Sequence, residues 1–193
     1  MKKTIIVGSM LLITGTASFA QTGLAVVKKD EKNTRHELRE EKKEAREVKK
    51  EIALTSPDYN TAQQFMRDFP DAKDVHWSKK DFEKASFLDK NGKRLYAFYD
   101  YYSQLIGTVS DATYDGLPAA AKKSIARYYP GYTPQAVILF DDNEDNTTDM
   151  ILYERRFEDA DNYFVEMAKG DKKIVLMVSM DGEVSYFTNM NHQ

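Results

Sequence analysis

Phe65-Met66-Arg67-Asp68-Phe69-Pro70 and Ile125-Ala126-Arg127-Tyr128-Tyr129-Pro130 are written on one plan at an offset of 60 residues. In each, two large apolar side chains stand four positions apart, on one face of a helix. In each, proline follows at once, where a helix cannot continue. Upstream of the first stretch, Ser56-Pro57 reads as a helix start, with serine able to cap and proline suited to the first turn. Tyr59, Ala62, Phe65, Met66 and Phe69 then share a face. Leu117-Pro118 opens the second helix in the same way, with Ala121, Ile125, Tyr128 and Tyr129 spaced for burial.

Strand patterns follow each helix. Val75-His76-Trp77, Phe82 to Leu88, Arg94 to Tyr102 and Gln104 to Val109 are short and rich in aromatic and branched residues, and Asn91-Gly92 is a hairpin signal. After the second helix the match resumes at an offset of 79: Lys90-Asn91-Gly92-Lys93-Arg94-Leu95 against Lys169-Gly170-Asp171-Lys172-Lys173-Ile174, and Ser103-Gln104-Leu105 against Gly182-Glu183-Val184. The 19 additional residues predict an extra hairpin, Ala136 to Phe140 with Met150 to Phe157, joined by an acidic loop. The expected fold is α+β. It is a tandem duplication of a helix plus antiparallel β-meander unit, with helices packed on a curved sheet whose opposite face is partly open. The repeats are placed at 55–114 and 115–193.

The N-terminus reads differently. Lys2 and Lys3, an apolar run from Ile5 to Ile13, and Ala17-Ser18-Phe19-Ala20 form a secretory signal pattern with cleavage after Ala20. The apolar run is too short for a bilayer span. A charged helical leader is expected over 21–54. Its core, Val27 to Ala53, holds ten basic and eight acidic residues and no Gly or Pro. At about 100° per residue the charges separate into two faces, with Leu38, Ala45, Val48 and Ile52 as a thin apolar strip between them. Glu41 interrupts that strip, which makes for a poor coiled coil.

Composition narrows the chemistry. No cysteine occurs, so disulfides and thiol catalysis are excluded although an exported protein could hold them. From Leu54 onward there are 16 Lys+Arg against 23 Asp+Glu, a balance unsuited to nucleic acid. The three histidines, His36, His76 and His192, are scattered and give no triad or zinc spacing. Asp141, Asn143 and Asp145 copy the first half of an EF-hand loop. Asn146 stands where glycine is needed and Leu152 where the bidentate glutamate is needed, so a solvated hairpin tip is expected there. No cofactor and no metal are implied. The candidate partner-binding residues are Trp77, Tyr96, Phe98, Tyr99, Tyr101 and Tyr102, because tyrosine and tryptophan offer contact area at low entropic cost.

Phe69-Pro70-Asp71-Ala72, Val75 and Trp77, the strands around Asn91-Gly92, and Leu117-Pro118 with its helix ending in Tyr129-Pro130 resemble the PepSY-like periplasmic proteins of Bacteroidetes-type bacteria, also described as β-lactamase-inhibitor-protein-like. The resemblance covers about Tyr59 to Met190 and leaves out the charged leader. It implies a tandem α+β fold with a concave sheet, and a binding or inhibitory role in the cell envelope, with no catalytic residues. The function expected is an exported, non-catalytic binding module recognising a protein or peptide through a sheet face. The alternative is an envelope structural or stress protein that self-associates through residues 28–53.

Overall fold

Continuous helix propensity carries the first element far. The computed structural model describes residues 20–190, with side chains from Arg35 onward. The signal pattern as far as Phe19, and His192, lie outside the described residues, and the expected cleavage point after Ala20 falls at the start of the first helix. Helix α1, Ala20–Thr55, ends where Pro57 disfavours helical backbone at Ser56. Two units are distinguished along the chain, one ending at Val48 and the other running from Lys49.

In the second unit the helix expected from Ser56 begins later. Helix α2 is Tyr59–Asp68, with Asp58 at its N-cap, and helix α3 is Ala119–Tyr128, with Pro118 in that place. The backbone N–H of Asp58 donates to the Glu83 carboxylate at 3.1 Å, which ties the start of α2 to the sheet. Both helices close alike, with the N–H of Phe69 donating to the carbonyl of Phe65 and that of Tyr129 to Ile125.

The strands are β1 (Lys73–Lys79), β2 (Glu83–Leu88), β3 (Arg94–Tyr99), β4 (Leu105–Ala112), β5 (Thr133–Asp142), β6 (Met150–Leu152), β7 (Arg155–Phe157), β8 (Asn162–Lys169), β9 (Lys172–Ser179) and β10 (Val184–Asn189). Eight of them form one sheet in the order β1-β2-β3-β4-β5-β8-β9-β10, every neighbour antiparallel. The meander is interrupted once, between β5 and β8, where β6 and β7 pair only with each other. This corrects the expected insertion: Ala136 to Phe140 belongs to β5 in the main sheet, and the extra hairpin is confined to 150–157.

One sheet face carries the helices. Phe65 of α2 packs with Ala85, Phe87, Ala97 and Tyr99, flanked by Phe69, Ala72, Trp77, Leu95 and Leu105. Ile125 and Ala121 of α3 pack with Val137, Val165, Met167, Ile174, Leu176 and Val178, flanked by Tyr129, Tyr132 and Val184. Tyr59, Met66 and Tyr128, expected on the buried faces, are exposed at 78%, 56% and 66%. A ten-residue helix on a sheet buries little more than one row, here Thr61 and Phe65 or Ala121 and Ile125.

The pairing also refines the register. Trp77 faces Ala85 and Ala85 faces Ala97, while Val137 faces Val165 and Val165 faces Leu176. Ala85 and Val165 stand 80 residues apart in the sequence, and Ala97 and Leu176 stand 79 apart. Asp89 and Lys93 bracket a three-residue turn containing Gly92, whereas Lys169 and Lys172 bracket two residues.

The opposite face is treated unequally. Over β8 and β9 it is covered by the hairpin, through a cluster of Ile106, Val109, Phe140, Met150, Phe157, Phe164, Val175 and Phe187. Strands β8 and β9 are consequently buried on both sides, whereas β2 buries only Ala85 and Phe87.

Candidate functional site

Where hairpin coverage stops, a groove begins. It has a volume of about 620 Å³ and lies between the tip of β6–β7 and the helix-free face of β1, β2 and β3. Phe82, Phe98, Ile151 and Leu152 supply its apolar surface, and Lys80, Lys84, Asp81 and Glu154 its charges. Lys80 Nζ reaches Glu154 Oε1 at 3.3 Å across the gap. Lys84 Nζ lies 5.7 Å from the centre of the Tyr96 ring, within cation–π range.

The wall of the groove is held by an unusual turn. Tyr153 and Glu154 both have positive φ, 49° and 61°. Two left-handed residues in succession suit the twist of a two-residue hairpin, a turn normally made with Asn and Gly. Tyr153 meets that demand through its side chain. Its hydroxyl donates to Glu166 Oε1 at 2.9 Å, and its ring lies 6.2 Å from Phe164 and 6.5 Å from Phe187. Burial above all, and then the hydrogen bond and charge of Glu166, hold the Tyr153 hydroxyl far above its ordinary range, so it stays a donor at any physiological pH.

The six aromatic residues singled out in the sequence go to three places. Phe98 lines the groove and Tyr96 stands beside it under Lys84. Trp77 and Tyr99 belong to the helix side, with Trp77 edge-on to Phe65 at 5.2 Å. Tyr99 is fully buried and its hydroxyl donates to Asp68 Oδ2 at 2.9 Å, so it offers no surface. Tyr101 and Tyr102 sit on the β3–β4 turn, exposed at 94% and 80%, with their rings 5.7 Å apart edge to face. Lys80, Phe82, Lys84 and the segment Ile151 to Glu154 were not singled out. The hairpin turn carries no Gly, Asn or Asp to announce it.

The acidic loop exposes Asp141, Glu144 and Asp145 to solvent as expected, but it is not a hairpin tip, since β5 pairs with β8 and β6 with β7, and its asparagines turn inward. Asn143 Nδ2 donates to the carbonyl of Leu105 at 2.7 Å. Asn146 is buried, and its Nδ2 donates to Leu105 at 3.1 Å and to Asp100 Oδ2 at 3.3 Å. The two asparagines therefore serve as donors to β4 and the β3–β4 turn. Among the described residues no three acids or histidines are arranged to hold a metal ion. Of the described histidines, His36 is exposed and His76 bonds to the Asp74 carboxylate at 3.0 Å on the surface. No described helix is long and apolar enough to cross a membrane.

The chain shares its fold with Bacteroides proteins of the DUF2874 and BLIP-like kinds. A DUF2874 family protein from Bacteroides uniformis matches with a TM-score of 0.58 and 20% identity, over 72% of this chain and 93% of that one. A BLIP-like protein from Bacteroides fragilis matches with a TM-score of 0.54 and 16% identity, over 72% and 89%. A third, from Bacteroides eggerthii, matches with a TM-score of 0.55 and 20% identity over 70% and 90%, and its description provisionally places it in the periplasm. No family model and no curated protein matches the sequence. The β-lactamase-inhibitor-protein-like fold expected from the short motifs is thus found in the coordinates, and the likeness extends to fold alone.

Proposed function

We propose that this chain is an exported, non-catalytic binding module that takes a protein or peptide segment on the helix-free face of β1 to β3, against the tip of the β6–β7 hairpin. The observation that carries the reading is the groove itself: about 620 Å³, with an apolar floor and a rim of both charges. That composition suits a peptide with one or two large apolar side chains flanked by charged ones. Export is supported by the N-terminal signal pattern and by the description of the Bacteroides eggerthii neighbour. A PepSY-like relationship rests on the short motifs around Phe69-Pro70 and Asn91-Gly92.

The two halves are read as copies of one helix-plus-meander unit. Phe65 and Ile125, Ala72 and Tyr132, Trp77 and Val137, Ala85 and Val165, Ala97 and Leu176, and Leu105 and Val184 take equivalent places in their clusters. The second copy has since gained the hairpin that walls the groove.

Selection of peptides from a displayed library tests the site. Ligands enriched on the native chain should lose at least tenfold in affinity for Phe98→Ala and Lys84→Glu, and keep it for Tyr101→Ala. Enrichment of the same ligands by the groove variants would overturn the assignment.

A further inference from the structure

Helix α1 is exposed at every residue from Arg35 to Thr55, and Leu38, Val48 and Ile52 stand 49%, 54% and 56% open. These apolar positions have a period. Leu38, Ala45 and Ile52 recur every seven residues, and Val48 falls between the last two, so they occupy a, a, a and d of a heptad. In that register the e positions are Arg35, Lys42 and Lys49, and the g positions are Glu37, Glu44 and Glu51. Every e residue is cationic and every g residue anionic. The sequence continues the register upstream, with Leu24 at a, Val27 at d, Lys28 at e and Asp30 at g.

The flanking charges settle partner and orientation together. In a parallel two-stranded coil, g of one helix faces e of the other, five residues on. Two copies of α1 then set Glu37 against Lys42 and Glu44 against Lys49, on both sides of the seam. An antiparallel pair would set e against e and g against g, like charges throughout. A lone helix is poorly served by the same charges, because Glu37 and Glu41, Glu40 and Glu44, Lys42 and Arg46, and Arg46 and Lys50 stand four apart with like sign. We propose that α1 is a dimerisation helix through which two copies of this chain associate as a parallel, in-register coiled coil over residues 35–55. Glu41 at d, with Glu31 at a further upstream, keeps the pair weak and reversible. The proposal goes beyond self-association as such by fixing alignment, and it stands independently of the groove.

The chain contains no cysteine, so single cysteines report alignment cleanly. The full chain is produced with its own N-terminal segment and its mass is followed in solution against concentration, at low and high salt. Expected are a monomer–dimer equilibrium weakened by salt, a dimer tightened roughly tenfold or more by Glu41→Leu, and loss of the dimer in K42E/K49E. Mixing K42E/K49E with E37K/E44K should restore it as a heterodimer. Leu38→Cys and Ile52→Cys should each form a disulfide with its own kind under mild oxidation. A monomer under all conditions, Glu41→Leu included, would sink the proposal. So would disulfides that form only when the Leu38→Cys and Ile52→Cys chains are mixed, the signature of an antiparallel pair.

Discussion

At the scale of single residues, the β3–β4 and β9–β10 turns solve one problem in two ways. Ser103 has φ of 63° and Gly182 of 93°, at matching places in turns closed by matching backbone hydrogen bonds. Ser103 Oγ bonds Thr61 Oγ1 at 2.9 Å, fastening the first turn to α2. Gly182 has Ala121 at the corresponding place in α3. A Cβ on Gly182 would stand 3.1 Å from both the Pro118 and Ala120 Cβ atoms and 3.2 Å from Ala121 N. Gly182→Ala should therefore cost about 1–3 kcal/mol of stability, from left-handed backbone and crowding together. Ser103→Gly should cost about 1 kcal/mol or less. Urea unfolding of the two variants measures the contrast, and equal losses would contradict it.

Asp142 is the other residue with a definite consequence. Its Oδ1 is buried without a hydrogen-bond partner among the described residues. Burial first, and then the charges of Asp159 and Glu144, raise its carboxyl above the ordinary 3.8. An acid whose value is raised by folding opposes the fold when ionised. The fold gains as pH falls through the raised value and protonates it, and the penalty is fully present at neutral pH. Asp142→Asn should accordingly melt higher than the native chain at pH 7, with the gap closing as pH falls toward the ordinary carboxylate range. A gap that is constant with pH would place the effect elsewhere.

At the scale of elements, hairpin β6–β7 buries one face of the sheet as a helix would, with only six paired residues. Phe157 is central to it, with its ring 4.9 Å from Phe164, 5.2 Å from Phe140 and 5.9 Å from Phe187, all edge to face. Phe157→Ala should cost about 3–5 kcal/mol, as for other buried phenylalanines. Because the hairpin tip is also the groove wall, the same variant should weaken ligand capture at temperatures where the sheet is still folded. Thermal melts paired with binding at low temperature separate the two effects.

At the scale of the molecule, two helix-side clusters share one sheet. The seam between the halves is β4 against β5, six residue pairs from Gly107–Asp142 to Ala112–Val137. The hairpin-side cluster draws Ile106 and Val109 from one half and Phe140, Phe164 and Val175 from the other. The sheet should therefore unfold as one cooperative unit. Phe65→Ala and Ile125→Ala lie in separate clusters and should each cost about 2–5 kcal/mol, adding to within about 0.5 kcal/mol in the double variant. Two resolved transitions in calorimetry would show that the halves fold independently.

Local chemistry was readable without coordinates. Helix stops at Phe69-Pro70 and Tyr129-Pro130, the turn at Asn91-Gly92, and the offset of 60 all depend on backbone rules that act over a few residues. So does the charge pattern of α1, which needs nothing but helical spacing. Tertiary structure alone decided which face each aromatic residue serves. Alternation along the strand separates Tyr96 and Phe98 from Tyr99, but which of the two faces a helix covers is not in that pattern: Tyr96 flanks the groove, and Tyr99 is sealed under α2 by Phe65 and Asp68. It alone also assigned Ala136 to Phe140 to the main sheet, and brought Ile151 to Glu154 against Phe82 and Phe98. Pairing partners and covered faces are set by long-range burial, and no local window of sequence contains the surface against which a strand will pack.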